Sequence, residues 1–276
     1  MIQSTPGQQK LRVLITVKTY PIPSSKYDEL VCTAGVTETG DFVRLYPINF
    51  RDLRDCQQFK KYQWIEVKAS KHTGREQRKE SYRPDSKSIR ICGDPIKSNP
   101  GNWRDRSLYV LRNKAKSIED LKELQKSDKT SLGIFNPKNV SDLVIQPDSS
   151  DWNPKFLAEL GQQRIWENRT NSRKPPRKVP FKFKYRFHCN DKNCNGHNMS
   201  IFDWEVGALF WRMMDEGMTH EGAAEEVKRK FLENLCGDDK DTHFFVGTTL
   251  DYPTSWIILG VYYPKVEPPS LFDEIM

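Results

Sequence analysis

No stretch of this chain approaches the ~18 consecutive apolar residues that a bilayer-crossing helix requires, so a helical membrane protein is not expected. The first apolar run, Val13 to Val17, is broken at once by Lys18 and is too short for the core of a secretory signal. A soluble, cytoplasmic protein is the expectation. Cysteine is scarce, with six in 276 residues, and without a secretory signal those six do not read as a disulfide framework.

Familiar catalytic signatures are missing as well. There is no Gly-rich phosphate loop ending in Lys-Ser or Lys-Thr and no Gly-x-Ser-x-Gly elbow. His220-Glu221 is followed by Gly222, Ala223 and Ala224, which rules out the two-histidine helix of a zinc protease. Acid is the minority charge. Forty-four Lys and Arg against 37 Asp and Glu give a formal charge of +7, an excess that favours polyanionic partners by releasing their counterions. Modest basicity alone is common, so the placement of the cations has to carry the argument.

What is present points to an α+β chain in two parts. Residues 1–100 carry β-type runs at Arg12–Tyr20, Glu29–Thr37, Phe42–Pro47, Tyr62–Ala69 and Ser88–Cys92, and Thr39-Gly40-Asp41 makes a good hairpin turn. Five short strands suggest a small barrel of the OB, SH3-like or PUA-like kind. The charged segment Arg75–Pro84 reads as a loop between strands, with Tyr82 and Trp64 as exposed aromatics near a barrel mouth. Residues 101–167 form a mixed connector. It holds a helix from Ser117 to Gln125 capped by Ser117, a short extended piece within Ser131–Val144, and a second helix over Asn153–Trp166. Residues 168–180 are rich in proline and cations and lack apolar periodicity, which marks an exposed arm. Residues 181–276 then give a strand at Phe181–Phe187, helices at Phe202–Gly217 and His220–Leu235, and a hairpin of Thr242–Val246 with Ser255–Tyr263.

The most informative segment opens this last part. Cys189, Cys194 and His197 lie within nine positions of a polar, turn-rich loop, the residue types a tetrahedral zinc ion selects. A structural zinc in an α/β domain of two helices and a hairpin is expected. Cys236 is the first choice for a fourth ligand because it follows a helix end and precedes a turn; His243 is the second and His188 the third. Two incidental loop cysteines or a redox pair are the plainer alternatives.

Upstream of that loop the cations cluster. Arg173, Lys174, Arg177 and Lys178 lie on the arm, and strict alternation in the following strand puts Lys182, Lys184 and Arg186 on one face, with Phe181, Phe183, Tyr185 and Phe187 on the other. Such a track suits a phosphate backbone, so DNA or RNA is the expected partner. A half-buried strand with a solvated basic face explains the alternation equally well, and the scarcity of acids less well.

Rival readings also exist. Glu66 and Lys68, two apart on a strand with Asp41 or Asp55 upstream, have the residue types of a metal-dependent nuclease. A zinc-containing adaptor would use the arm to bind an acidic protein partner. A winged-helix reading would make the final hairpin a wing, although the acids opening the His220–Leu235 helix oppose it.

Overall fold

A computed structural model describes residues 7–24, 28–72, 78–98, 103–155, 157–158 and 174–266. The chain begins with β1 (Gln8–Lys18), β2 (Ile22–Ser24), β3 (Asp28–Val36) and β4 (Phe42–Ile48), followed by β5 (Trp64–Lys71), β6 (Ser81–Pro84) and β7 (Arg90–Ile91). Five of these close on themselves in the order β1-β3-β4-β6-β5, because β5 returns to pair with β1 from Gln8↔Ser70 to Leu14↔Trp64. The β3–β4 hairpin turns at Gly40, whose φ of +84° only glycine adopts without strain. Val13, Ile15, Val31, Val43, Leu45, Ile65 and Val67 fill the barrel.

Val13 to Val17 are buried without alternation because both faces of β1 are covered. Val13 and Ile15 face the barrel core, Leu14 packs with Val36 and Trp64, and Val17 joins a cluster shared with the rest of the molecule. The expectation of five short strands holds, with four of the expected runs in the barrel and only the fifth misplaced. The closing strand is Ser81–Pro84, inside the segment expected to be a charged loop. It runs parallel to β4, with Arg44↔Ser81 and Leu45↔Tyr82. No local turn signal announces such a pairing. The Ser88–Cys92 run shrinks to β7, an accessory strand on β5. Trp64, expected to be exposed, is buried against Tyr109 with ring centroids 5.1 Å apart.

Beyond the barrel come α1 (Arg104–Val110), α2 (Ile118–Asp128), β8 (Leu132–Phe135), β9 (Asn139–Pro147), β10 (Phe181–His188) and β11 (His197–Ser200). Then follow α3 (Trp204–Asp215), α4 (His220–Lys228) with a π turn at Arg229–Asn234, β12 (His243–Thr248) and β13 (Trp256–Tyr262). Two three-stranded sheets form, β11-β10-β9 and β13-β12-β8. Each therefore takes one strand from the segment before the arm. The expected helix over 153–166 lies largely outside the described residues. β12 is buried along its whole length between β8 and β13, so the final hairpin is core and not a projecting wing.

Helices α3 and α4 close the β10 sheet over a core that includes Leu143, Phe183, Tyr185, Phe187, Phe210, Val227 and Phe244. A further cluster joins Val17, Ala34, Tyr62 and Val110 of the first part to Ile134, Phe245, Leu259 and Tyr262 of the second. Just beyond β1, the ring of Tyr20 lies so close to Gly207 of α3 that a β-carbon there would sit 2.2 Å from it.

Candidate metal centre and basic face

The β10–β11 hairpin, paired through Phe187↔His197, presents the Cys-Cys-His loop at its tip. The loop is folded by its own polar groups. Asp191 Oδ1 accepts from the Asn193 amide (2.8 Å), the Asp191 carbonyl accepts from the Cys194 amide (3.2 Å), and Gly196 takes φ +90°. As a result one donor atom each from Cys189, Cys194 and His197 lie within 4.8 Å of one another, the group that could hold a metal ion. The Cys194 sulfur stands 3.2 Å from His197 Nε2 and accepts from the amides of Cys189 (3.3 Å) and Gly196 (3.4 Å).

A fourth side chain meets this group. Ser117 caps α2 by accepting from the Asp120 amide, which fixes Glu119 in the first helical turn. From there Glu119 Oε2 lies 2.7 Å from Cys189 Sγ and Oε1 lies 3.3 Å from His197 Nε2. Burial, reinforced by the Glu119 contact, pushes the Cys189 thiol up to about 12. For Glu119 burial acts upward too, but the Cys189 thiol, His197 and Lys122 outweigh it and hold the carboxyl below its usual range. Cysteine spacing could not reveal Glu119. Its only trace in the sequence is its place two residues after a good N-cap.

The residues expected as fourth ligand are placed elsewhere. Cys236 donates to the Phe231 carbonyl (3.4 Å), and burial pushes its thiol up to about 12. His243 is fully buried, with Nδ1 2.9 Å from the Asp241 carbonyl and its ring against Tyr262. Among the described residues neither belongs to the convergent group. His188 lies over Gly196, at the rim of a ~330 Å³ cavity that also borders Cys189 and Cys194.

The arm is strapped down where it is described. The carbonyls of Lys174, Pro176 and Arg177 accept from Arg51 (3.1 Å), Trp152 (2.7 Å) and Tyr20 (2.9 Å). Arg177 stacks over Trp211 and forms a two-bond ion pair with Asp215, at 2.8 and 3.0 Å. Lys178 and Lys182 share Asp148, at 3.1 and 3.4 Å, and Arg186 stands opposite Asp142 across the strand pair. The alternation of β10 is as its sequence suggests, with Phe183, Tyr185 and Phe187 buried and Lys182, Lys184 and Arg186 on the outer side. Arg173 lies outside the described residues. Between the strapped arm and α3 runs a groove of ~640 Å³ lined by Tyr20, Trp204, Trp211, Arg51, Arg177 and Arg212, among others.

The carboxylates expected of a nuclease do not gather. Glu66 is held by Lys10 (2.9 Å) and by Arg90, which keep its carboxyl below the usual range. Asp41 accepts from Thr39 (2.6 Å) in the β3–β4 turn, Asp55 opens a short 3-10 turn, and Lys68 lies on β5 with a half-buried side chain. Among the described residues none of them forms a metal-binding group.

A closed five-stranded barrel, two further sheets, helices and a Cys-Cys-His group able to hold a metal ion define a mixed α+β protein. The chain belongs to the family described as Domain of unknown function (DUF8757), which matches residues 114–276, and residues 9–112 match another, Domain of unknown function (DUF8758). No curated protein matches it. Among solved structures it is similar to a murine DNA-binding protein bound with double-stranded DNA, at 12% identity over 95% of this chain and 98% of that one, with a TM-score of 0.30. Among the described residues no helix is long and apolar enough to cross a membrane.

Proposed function

We propose that this is a cytoplasmic nucleic-acid-binding protein whose second half is stabilised by one structural zinc ion on Cys189, Cys194 and His197. Thiolate and imidazole donors suit zinc, and the cytoplasm keeps such thiols reduced. The observation that carries the binding role is the continuous basic track from the strapped arm into β10. Among the described residues its cations, Lys174, Arg177, Lys178, Lys182, Lys184 and Arg186, pair with Asp215 and Asp148, while Asp142, opposite Arg186, is taken by Lys228, so positive charge remains for phosphates. The adjoining groove supports the reading, since it combines aromatic rings with guanidinium groups, the chemistry that takes single-stranded bases beside their backbone.

Fluorescence anisotropy with labelled single- and double-stranded oligonucleotides over a salt series tests this. Binding is expected to weaken steeply with salt, and Lys182→Gln/Lys184→Gln/Arg186→Gln to reduce the slope of log K against log salt by up to about 3. No binding to DNA or RNA at about 0.1 M salt overturns the proposal and leaves the basic track to an acidic protein partner.

A further inference from the structure

We propose that Glu119 is the fourth metal ligand, so that the ion fastens the start of α2 to the β10–β11 hairpin. This rests on the reading that Cys189, Cys194 and His197 hold a metal. Around a tetrahedral zinc, bonds of about 2.0–2.3 Å set neighbouring donor atoms roughly 3.3–3.8 Å apart. Glu119 Oε1, at 3.3 Å from His197 Nε2, falls in that range, and the Cys194–His197 separation of 3.2 Å lies just below it. Glu119 Oε2 is the oxygen that meets Cys189, and Glu119 stands at the edge of the three-residue group, so one oxygen has to swing onto the metal. The 2.7 Å contact between Cys189 and Glu119 is a thiol-to-carboxylate hydrogen bond; a metal ion would displace its proton and draw both atoms to itself.

Position in a first helical turn explains why an acid is tolerated at 119, through the helix dipole. It does not explain why the carboxylate turns inward onto two of the three donor atoms, leaving its side chain only 28% exposed. Charge supports the assignment. Two thiolates, one carboxylate and a neutral imidazole give the zinc site one net negative charge, and Lys122, 3.3 Å from Glu119 Oε1, stands ready to balance it. Cys236 and His243 are each committed to a backbone carbonyl away from the group.

The consequence is structural and specific. The metal would close a loop between residue 119 and residues 189–197, tying the segment that follows the barrel to the sheet beneath the basic track.

Cobalt substitution in the full chain tests this, with zinc affinity from chelator competition and far-UV circular dichroism to verify folding. Wild type is expected to show a tetrahedral cobalt spectrum with two-thiolate charge transfer. Glu119→Cys should raise that near-ultraviolet intensity by about half, as two thiolates become three, and Glu119→Gln should weaken zinc binding by about 10-fold or more. Hydrogen exchange of the α2 amides should slow with zinc in wild type and not in Glu119→Gln. If wild type and Cys194→Ser alike take up no metal, the underlying zinc reading fails. If wild type binds metal while both Glu119 variants retain its spectrum and affinity, the zinc site stands, the assignment of Glu119 is wrong, and the fourth position belongs to water.

Discussion

Lys18 ends β1 with its ammonium 4.2 Å from the Phe50 ring centroid and 5.2 Å from that of Trp204, beside Lys61, Asp203 and Glu205. Burial first, then the charge of Lys61, lowers its pKa to about 8; Glu205 and Asp203 pull weakly the other way. A lysine whose folded pKa lies below its unfolded value costs stability while charged, and that cost fades as pH rises from about 8 towards 10.5. Over that window wild type should therefore gain on Lys18→Met by on the order of 2–3 kcal/mol, read from denaturant midpoints of the two proteins. Subtracting the variant matters, because Tyr62, Tyr262 and Tyr263, whose pKa values burial raises, pull the other way near pH 10. Constant separation of the two curves from pH 7 to 10 would refute the assignment.

At the scale of elements, one residue joins the barrel to a helix. Asp203 caps α3 by accepting from the Glu205 amide (3.0 Å) and receives both bonds of the Lys61 ammonium, at 2.9 and 2.8 Å, almost wholly out of solvent. Lys61 belongs to the segment before β5, so this ion pair fixes α3 against the barrel. Replacing Asp203 by alanine removes the cap and strands a buried ammonium that keeps only Glu205 at 3.4 Å, an expected loss of about 3–5 kcal/mol. Asp203→Asn retains a good capping oxygen and should recover about 1 kcal/mol of that loss. Equal destabilisation by the two substitutions would show that the cap contributes nothing.

The whole molecule is held together by contacts between its two family segments. Arg44 of β4 is 1% exposed and donates to Ser81 (3.2 Å), to the Ser131 hydroxyl (2.7 Å) and carbonyl (2.9 Å), and to the Thr248 carbonyl (3.3 Å). Glu80 accepts from both the amide and the hydroxyl of Ser131, so two charged side chains of the barrel grip the third sheet. Together with the apolar cluster around Tyr62, Phe245 and Tyr262, this predicts one cooperative unfolding transition for the full chain. Arg44→Met should lower the midpoint of that transition as a whole, by about 1–3 kcal/mol, because it removes a charged donor from the buried Ser131 carbonyl and hydroxyl and from the Thr248 carbonyl. Two separate calorimetric peaks, in wild type or variant, would contradict the shared core.

The sequence by itself determined the elements whose signals are local. Alternation set the faces of β10, Ser117 marked the start of α2, Gly40 placed the β3–β4 turn, and close spacing picked out Cys189, Cys194 and His197. Tertiary structure alone decided what depends on residues far apart in the chain. β6 becomes a barrel strand only through its parallel neighbour β4, and β8 and β9 find their partners in β12 and β10. Glu119 reaches the cysteine loop across 70 residues. The physical reason is common to all three. Short-range patterns report backbone preference and which face a side chain takes, whereas pairing and donor convergence are set by packing between segments, and no local period carries that information.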